Sequence, residues 1–444
     1  MQARHGPNAG SARVAMKVKL EYDKTGAEIE LPDHQRIRVL ESRFARELAD
    51  PNAALAEAIR RPIGCASLEE LARGKQSAAI SVCDITRPAP NKLVLPHVTA
   101  ALERAGIKPE NIRILIATGL HREATPAELD EILGPEILAR YWVDSHRARN
   151  LDEQADLGVT SGGTHAYVDR RFVETDLHIT LGFVEPHLMA GFSGGRKLIS
   201  IGLAGEKTIK RLHSPLYMRD PKAVEGSFPD NPLHRELLEI ASKARHDFMI
   251  DVALTRSRGV SAVFAGDPVE AHKAGVEFVR ESTLAGVEQP ADAVITTSGG
   301  YPLDLTYYQA VKGITAASHV VKPGGSVLLI AACREGLGSP EFSKLVRRSL
   351  TWDNLLDELT KIPVEVDQWQ SEKLAMVARK LSLSFCLPGV ARDDWRHLWG
   401  PVFETPQQAV DDLLSKLSPE ASIIVIPEGP YVFSQLDQAA VPVP

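Results

Sequence analysis

Several stretches of the sequence place acidic, hydroxyl, guanidinium and imidazole groups directly after short apolar runs. The stretch 84–90, "DITRPAP", follows the run "AAISVC" and offers Asp84, Thr86 and Arg87 within four residues. An arginine in such a turn can hold a carboxylate or a phosphate through two parallel hydrogen bonds. The alternative is that Asp84 caps the turn and pairs locally with Arg87. Both interpretations stay open from this stretch alone.

Two histidines lie in similar positions farther along the chain. His121 follows "IRILIATGL", and His187 follows "DLHITLGFVEP". Because an imidazole titrates near neutral pH, each is a candidate general base. The alternative for His121 is a structural histidine that bonds to the backbone of its turn. After it, Thr125, Pro126 and Glu128 have the spacing of a capping box, which predicts that a helix begins there.

The stretch 191–202, "GFSGGRKLISIG", crowds glycines around Lys197 as a phosphate-binding loop does. The template Gly-x-x-x-x-Gly-Lys-Ser/Thr, however, requires glycine where this chain has Arg196 and a hydroxyl where it has Leu198. The spacing of Lys197 and the neighbouring histidines, His213 among them, fits no compact metal motif. Spacing alone therefore supports neither a triphosphate loop nor a metal ion held entirely by side chains.

A third candidate group is the stretch "YYQAVKG", which holds Tyr308, Gln309 and Lys312. Tyr308 and Lys312 are four residues apart, so they share one face near the start of a predicted helix. A phenol, an amide and an ammonium group together can hold an α-hydroxycarboxylate. The alternative is that these side chains form a solvated helix edge.

The chain repeats a pattern of an apolar, β-branched run, a polar turn and a helical segment, which predicts an α/β fold with mainly parallel sheets. The candidate residues follow the strands, where ligands bind in such folds. We therefore expect them to converge on a cleft between two α/β domains. The predicted divisions are a flexible tail (1–15), an N-terminal domain (16–275), a C-terminal domain (276–415) and a segment returning to the N-terminal domain (416–444).

Composition excludes several classes of protein. The 444 residues carry a formal net charge of −7, which gives no electrostatic reason to expect nucleic-acid binding. The four cysteines form no Cys-x-x-Cys pair, as expected of reduced thiols in a cytoplasmic protein. No apolar run approaches the roughly 20 residues that span a bilayer. We expect a cytoplasmic protein that acts on a small molecule and binds no membrane.

Together these stretches resemble the nickel-pincer nucleotide dependent lactate racemase family. The resemblance runs from about Val18 to about Phe433 and rests on specific motifs in order. These motifs are "DITRPAP", "ATGLHREATPAEL", "SGGT", "GFVEPHLMAGFSGGRK", "TIKRLHS", "FAGDPVEAHKAGVEFVRE" and "TTSGGYPLDLTYYQAVKG". The family resemblance implies a racemase or epimerase that acts on a 2-hydroxy acid, lactate or a related compound.

The resemblance also implies a cofactor, the nickel pyridinium-3,5-bisthiocarboxylic acid mononucleotide, supplied by cofactor-synthesis enzymes. By position, Lys197 is the residue that joins it covalently through a thioamide, and His213 is the protein ligand of nickel. Soft sulfur donors with one imidazole suit a tetragonal nickel(II) site. Residues expected to seat the cofactor are Asp84, Ile85, Thr86, Arg87, Gly194 and Gly195, with Arg196 adding positive charge.

The family mechanism assigns the remaining residues. A base removes the substrate hydroxyl proton while hydride moves from the α-carbon to the cofactor, and hydride then returns to either face. The resemblance assigns the two base roles to His121 and His187. The residues expected to orient the substrate are Arg87, Tyr308, Gln309 and Lys312.

Two other interpretations remain at this stage. A non-catalytic nucleotide-binding or sensor relative could keep the fold, although the retention of the candidate histidines and lysines argues against it. A P-loop phosphotransferase conflicts with Arg196 and Leu198.

Overall fold

Parallel strands form at each place where the sequence predicts them. The computed structural model describes residues 15–436. In chain order the strands are β1 (Ala15–Leu20), β2 (Ala27–Pro32), β3 (Arg36–Val39), β4 (Ala78–Cys83), β5 (Ile112–Ala117), β6 (Trp142–Ser145), β7 (Gln154–Val159), β8 (His165–Asp169), β9 (Leu177–Phe183), β10 (Pro186–His187), β11 (Gly191–Phe192), β12 (Phe248–Leu254), β13 (Val260–Gly266), β14 (Leu284–Val287), β15 (Ala291–Thr297), β16 (Val321–Ile330), β17 (Ser382–Cys386), β18 (Val402–Phe403), β19 (Ser422–Ile426) and β20 (Phe433–Leu436).

Helices connect most of these strands. In chain order the α-helices are α1 (Pro51–Arg60), α2 (Leu68–Ala72), α3 (Asn91–Arg104), α4 (Pro126–Leu133), α5 (Pro135–Arg140), α6 (Arg170–Val173), α7 (Lys197–Ser200), α8 (Glu206–Leu212), α9 (Pro215–Met218), α10 (Pro232–Lys243), α11 (Glu270–Thr283), α12 (Tyr307–Ala317), α13 (Pro340–Arg348), α14 (Trp352–Leu359), α15 (Gln368–Ala378) and α16 (Pro406–Lys416). Short 3-10 helices occupy Pro109–Asn111, Leu151–Glu153, Ser318–Val320, Arg392–His397 and Gly429–Tyr431.

The described chain forms two compact units. The larger unit contains residues 43–284 and 359–369, and the smaller unit contains residues 15–42, 285–358 and 370–436. Each unit is built around a six-stranded, mainly parallel sheet. This architecture confirms the predicted α/β class.

The sheet of the larger unit has the strand order β13-β12-β9-β4-β5-β6. All pairs are parallel except β12 with β13, which form an antiparallel hairpin. Every residue of β4 and β9 is buried, as expected of strands covered on both faces. The order reverses at β4, because β5 and β6 continue on one side of it while β9 and β12 lie on the other.

The sheet of the smaller unit has the order β18-β17-β16-β15-β19-β3, and all of its pairs are parallel. Alternate residues of its strands enter two separate apolar clusters. One cluster contains the buried face of α12, and the other contains α16 and the β1–β2 hairpin. The sheet is therefore covered on both faces, which explains its nearly continuous apolar strands.

The predicted capping box at the start of α4 is confirmed. The Thr125 hydroxyl accepts a hydrogen bond from the Glu128 amide at 3.3 Å, and the Glu128 carboxylate accepts one from the Thr125 amide at 2.8 Å. Pro126 occupies the first helical position. The sequence could predict this capping box because both partners lie within one turn of helix.

The observed units differ from the predicted domains at three places. Strands β1, β2 and β3 belong to the smaller unit, and so do β19 and β20. The prediction that 416–444 returns to the N-terminal domain is therefore wrong for residues 422–436, because β19 lies between β15 and β3 in the sheet of the smaller unit. Residues 359–369 join the larger unit instead of the predicted C-terminal domain. A short apolar strand carries no local information about which sheet it will join.

The predicted tail, residues 1–15, lies outside the described residues apart from Ala15, which begins β1. Residues 437–444 of the predicted C-terminal segment also lie outside them. Within 15–436, no helix has the length and apolar character needed to cross a membrane. The four cysteines, all in the described part of the chain, are free thiols.

Replacing Ile426 by alanine tests the position of β19. Ile426 is fully buried in the smaller unit, so we expect Ile426→Ala to lower the free energy of unfolding by about 2–5 kcal/mol, measured by urea unfolding. Leu350, which is 63% exposed, supplies the control, and Leu350→Ala should change that free energy by less than about 0.5 kcal/mol. Equal effects of the two substitutions would contradict the observed pairing.

Candidate active site

The sheet of the larger unit has a point where the strand order reverses, so that the chain leaving one strand and the chain leaving its neighbour continue to opposite sides. It lies between β4 and β9, at the reversal of strand order. In open parallel sheets a crevice forms there, outside the carboxyl ends of the strands, and ligands bind in it. The segments that leave these two strands are residues 84–87 and 184–187. They contain the predicted candidates Asp84, Arg87 and His187.

His121 is paired with a buried carboxylate. Its Nδ1 lies 2.7 Å from Asp84 Oδ2, and Asp84 Oδ1 accepts a 2.6 Å hydrogen bond from the Thr86 hydroxyl. Because a carboxylate only accepts, His121 Nδ1 carries the proton, and Nε2 of the neutral ring is then the acceptor nitrogen. The His121 side chain is 54% exposed, so a ligand can reach it.

Asp84 is ionised in this arrangement. Burial alone would raise its pKa, but hydrogen bonds from His121 and Thr86 and the nearby charge of Arg87 outweigh burial and hold the pKa of this carboxyl below its usual value. Asp84 therefore serves His121 as a fixed negative partner. This observation gives Asp84 a role beside the predicted one of seating the cofactor.

His187 has the opposite hydrogen-bonding pattern. It lies in the small hairpin β10–β11, and its Nδ1 accepts hydrogen bonds from the amides of Met189 and Ala190, each 3.2 Å away. An imidazole nitrogen that accepts cannot carry the proton, so the neutral ring is protonated at Nε2. The structure thus gives the two candidate histidines different tautomers.

The glycines of the 191–202 stretch are required by the protein interior. Gly194 and Gly195 have positive φ angles of 86° and 43°. A Cβ added to Gly194 would lie 2.1 Å from Asp251 Oδ2, and the Gly195 amide donates to the same oxygen at 2.8 Å. These contacts account for glycine at both positions without a ligand, and the predicted binding of the cofactor by them stays a prediction.

Lys197 follows this turn and begins α7. Its side chain is half-buried, and its amine has no hydrogen-bond or ion-pair partner among residues 15–436. Burial, together with the positive charges of Arg87 and Arg196, lowers the pKa of the Lys197 ammonium to about 7. A lysine amine that is neutral near physiological pH is a nucleophile.

His213 lies close enough to Lys197 for the lysine charge to lower its pKa. Burial is the larger cause and, with that charge, lowers the pKa of His213 to about 4, so the ring is neutral. Nδ1 donates to the Ile209 carbonyl at 2.8 Å, which leaves Nε2 as the nitrogen with a free lone pair. Metal-binding histidines commonly make this backbone hydrogen bond with the nitrogen that does not bind the metal.

Trp369 was not found by sequence reasoning. Its ring lies 4.5 Å from the His213 ring, with an angle of 46° between the two planes. No local pattern marks Trp369, because it comes from the 359–369 segment that joins the larger unit from far along the chain. The contact limits how the His213 imidazole can turn.

The loop after β4 also forms a small pocket of about 70 Å³, lined by Asp84, Ile85, Thr86, His121, Arg122 and Ala124. Arg87 is exposed beside it. The Arg87 guanidinium makes only a long 3.4 Å hydrogen bond to the Thr86 carbonyl within the described residues. Its remaining donors can therefore hold an anion. The local pair of Asp84 with Arg87, which was the alternative interpretation of this stretch, does not form, since Asp84 bonds to His121 and Thr86 instead.

The other three candidates lie in the smaller unit, on α12. Thr306 caps this helix by accepting from the Gln309 amide at 3.4 Å, and the Tyr308 ring packs edge-on against Phe342 at 5.1 Å. Lys312 lies one turn after Tyr308 on the same face, as predicted. Gln309 Oε1 is a buried acceptor to which no group in the described part of the chain donates. A buried acceptor of this kind calls for a donor from elsewhere.

Within residues 15–436, no group of three or more His, Cys, Asp or Glu side chains could hold a metal ion. The donor set near Lys197 instead suits a metal that arrives with most of its ligands. His213 has a lone pair fixed on Nε2, and Lys197 has an uncharged amine for covalent attachment. These two residues fit the cofactor that the family resemblance implies.

The class of protein follows from comparison with known families. The family model for the lactate racemase N-terminal domain matches residues 22–226, and that for the lactate racemase C-terminal domain matches residues 287–433. The chain therefore belongs to the lactate racemase family, as the motifs indicated, and is an isomerase.

Individual relatives agree with this assignment. A lactate racemase from Thermoanaerobacterium thermosaccharolyticum is 33% identical over 365 residues, which cover 81% of this chain and 85% of the relative. A lactate racemase from Lactiplantibacillus plantarum is 32% identical over 418 residues, which cover 93% of this chain and 98% of the relative.

Solved structures show the same fold. The lactate racemase apoprotein from T. thermosaccharolyticum superposes with a TM-score of 0.87 at 30% identity, covering 95% of this chain and all of that one. A crystal structure of a Thermotoga maritima protein shares the fold with a TM-score of 0.62 at 18% identity, covering 87% of this chain and 98% of that one.

Replacing Asp84 by asparagine tests the His121–Asp84 pair. We expect Asp84→Asn to lower the free energy of unfolding by about 1–2 kcal/mol at pH 7, because His121 and Thr86 lose an ionised acceptor. The pKa of Asp84 is lower in the folded chain than its ordinary 3.8, so this stabilisation is present above that value and is lost as pH falls through the folded pKa. The difference between the two proteins should therefore shrink below about pH 4.

Urea unfolding between pH 3 and pH 8 measures this difference. Asp156→Asn is the matched control, since Asp156 forms a 2.6 Å pair with His165 in which both side chains are exposed. Such a pair should contribute little to stability. A difference that persists unchanged at pH 3 would contradict the ionised state of Asp84.

Proposed function

We propose that the chain is a racemase or epimerase of a 2-hydroxy acid that uses a covalently bound nickel-pincer nucleotide. The observation that carries the proposal is the position of Lys197 near His213: the Lys197 amine has no hydrogen-bond or ion-pair partner among residues 15–436, and its charge acts on the His213 ring. The relatives are named lactate racemase, so lactate is the first substrate to test. The cofactor-synthesis enzymes are the proposed protein partners.

In this proposal Lys197 holds the cofactor covalently and His213 binds nickel through Nε2. The group that these residues would hold would supply a reversible acceptor for hydride from the substrate α-carbon. The segment Asp84–Arg87 and the turn at Gly194 and Gly195 border Lys197 and are the proposed seat of the nucleotide. The half-buried position of Lys197 supports this assignment, because burial lowers the pKa of its ammonium to about 7 and so makes the neutral amine accessible at physiological pH.

His121 and His187 are the proposed acid–base pair. His121 Nε2 can accept the hydroxyl proton of one enantiomer, because Asp84 stabilises the imidazolium that results. His187 carries its only proton on Nε2, so the neutral ring can donate a hydrogen bond to the oxygen of the planar keto acid. The protonated His121 can return its proton as the hydroxyl group re-forms, and His187 is the proposed base for the other enantiomer.

Arg87, Tyr308, Gln309 and Lys312 are the proposed substrate-binding residues. Arg87 and Lys312 would neutralise the substrate carboxylate, which leaves the hydroxyl group to be oriented by the phenol and the amide. The unfilled acceptor of Gln309 suits a hydroxyl donor. Arg87 supports the carboxylate assignment because most of its donors are available.

The decisive experiment compares the full chain made with and without the cofactor-synthesis enzymes. With them, we expect stoichiometric nickel by elemental analysis and a mass increase on the peptide that contains Lys197. The same protein should erase the optical purity of single-enantiomer lactate, and a panel of longer 2-hydroxy acids and sugar acids will define the substrate range.

Lys197→Ala should lose the mass increase and the activity, whereas Lys207→Ala, at an exposed position, should keep both. Unmodified Lys197 without nickel in the protein made beside the synthesis enzymes would contradict the cofactor assignment. Loaded protein that racemises no member of the panel would contradict the substrate class.

Alanine substitutions test the two histidines. His121→Ala and His187→Ala should each slow interconversion by about 10²–10⁴-fold, because each removes one proton-transfer group. Nickel content and the Lys197 adduct should be unchanged, which separates proton transfer from cofactor binding. His165→Ala is the control, as His165 is exposed and pairs with Asp156. Full activity in either variant would rule out the two-histidine assignment.

A further inference from the structure

Arg196, which precedes Lys197, points into the protein and not toward a ligand. It is only 2% exposed. Its Nη1 donates to the carbonyls of Ser193 and Gly194, each at 3.3 Å, and its Nη2 donates to those of Ala190 at 3.3 Å and Phe192 at 3.1 Å. One guanidinium therefore holds four carbonyls of residues 190–194. The expected contribution of Arg196 to the charge around a nucleotide is not supported by this orientation.

The guanidinium has no ion pair with any residue of the described chain. The acid near enough to affect it is Asp251, whose Oδ2 accepts from the Gly195 amide instead. Nη1 also lies 2.6 Å from His272 Nε2. Burial lowers the pKa of Arg196 to about 9. A charge placed in the interior without a paired acid is costly, so the carbonyl contacts are what make its burial tolerable.

These contacts fix the course of the backbone from residue 190 to the start of α7. Residues 190–194 curve around the guanidinium, and the Lys197 amide donates to the Gly194 carbonyl at 3.1 Å as α7 begins. The Gly194 carbonyl is thus shared between the Arg196 side chain and the first turn of α7. His272, itself 2% exposed, closes the other side of the guanidinium. Movement of Arg196 would release both the curve and the start of the helix.

We propose that Arg196 is the positioning residue of Lys197. Its guanidinium donates to four carbonyls of residues 190–194 and so fixes the backbone that leads to Lys197. It also places a positive charge near the Lys197 amine. The proposal deepens the proposed function by naming what prepares the attachment residue. The proposed role concerns the reactivity of the Lys197 amine and does not depend on which group becomes attached to it.

The electrostatic consequence agrees with the geometry. Arg196 is one of the two positive charges that lower the pKa of the Lys197 ammonium, after burial. The charge cannot be screened by water, because the guanidinium is buried. An arginine suits this position better than a lysine, since its planar fork carries enough donors for four carbonyls and keeps its charge.

The test measures how readily Lys197 reacts with acetic anhydride between pH 5 and pH 11. It uses the full chain made without the cofactor-synthesis enzymes, and mass spectrometry counts acetyl groups at each lysine. In the wild-type chain, Lys197 should reach half its maximal rate near pH 7, and exposed Lys207 serves as the internal reference.

Arg196→Met keeps much of the side-chain length but removes the charge and the donors. We expect it to raise the Lys197 midpoint by about one pH unit or more, so that acetylation at pH 6 falls about tenfold. The Lys207 profile should not change. Arg196→Lys should bring the Lys197 midpoint only partly back to the wild-type value, because lysine returns the positive charge but cannot donate to all four carbonyls. Arg211→Met, at an exposed arginine, is the matched control and should behave as wild type.

A folded Arg196→Met chain with the wild-type Lys197 profile would overturn the proposal. If that variant does not fold, His272→Phe provides the second test, since it removes the imidazole that contacts both Nη1 of Arg196 and the Ser193 carbonyl of the loop. It should also raise the Lys197 midpoint, and an unchanged midpoint would count against the proposal. A wild-type midpoint near 10 would refute it directly. Because these measurements need no cofactor, they can succeed even where nickel and the adduct are absent.

Discussion

The reversal of strand order between β4 and β9 is the constraint on which the larger unit's site depends. Both strands are buried along their whole length, so polar side chains can enter only where the strands end. The two chains leave the sheet in different directions there, and a crevice opens between them. Asp84 and His187 stand at its two edges, and the turn that follows His187 leads directly to Lys197. The sheet topology thus brings an acid, a histidine and a lysine from separate segments to one place.

The partners of the two histidines show how local environment gives similar residues different chemistry. His121 faces a carboxylate, which requires a proton on Nδ1 and leaves an acceptor at Nε2. His187 faces two backbone amides, which require a lone pair on Nδ1 and leave a donor at Nε2. The two rings therefore offer a ligand different groups, an acceptor nitrogen on His121 and an N–H donor on His187.

Local signals in the sequence predicted much of this structure, and the failures have a common physical cause. The parallel strands, the Thr125 capping box and the strand-end positions of the histidines all depend on residues close in sequence. The pairing of Asp84 with His121 joins residues 37 positions apart, and the contact of Trp369 with His213 spans far more. The sequence likewise did not indicate which sheet β19 joins, because an apolar strand fits any buried sheet. Periodicity specifies an element, but only the packed fold specifies its neighbours.

The role of the glycine-rich turn follows from what surrounds it. In a phosphate-binding loop, glycines leave room for the ligand, and a charged lysine attracts it. Here the space beside Gly194 is filled by Asp251, and the adjoining arginine spends its donors on backbone carbonyls. Burial and two neighbouring guanidinium groups make the Lys197 ammonium readily lose its proton, which weakens it as an electrostatic clamp. The same loss creates a free lone pair on nitrogen, so these surroundings suit a lysine that forms a covalent bond.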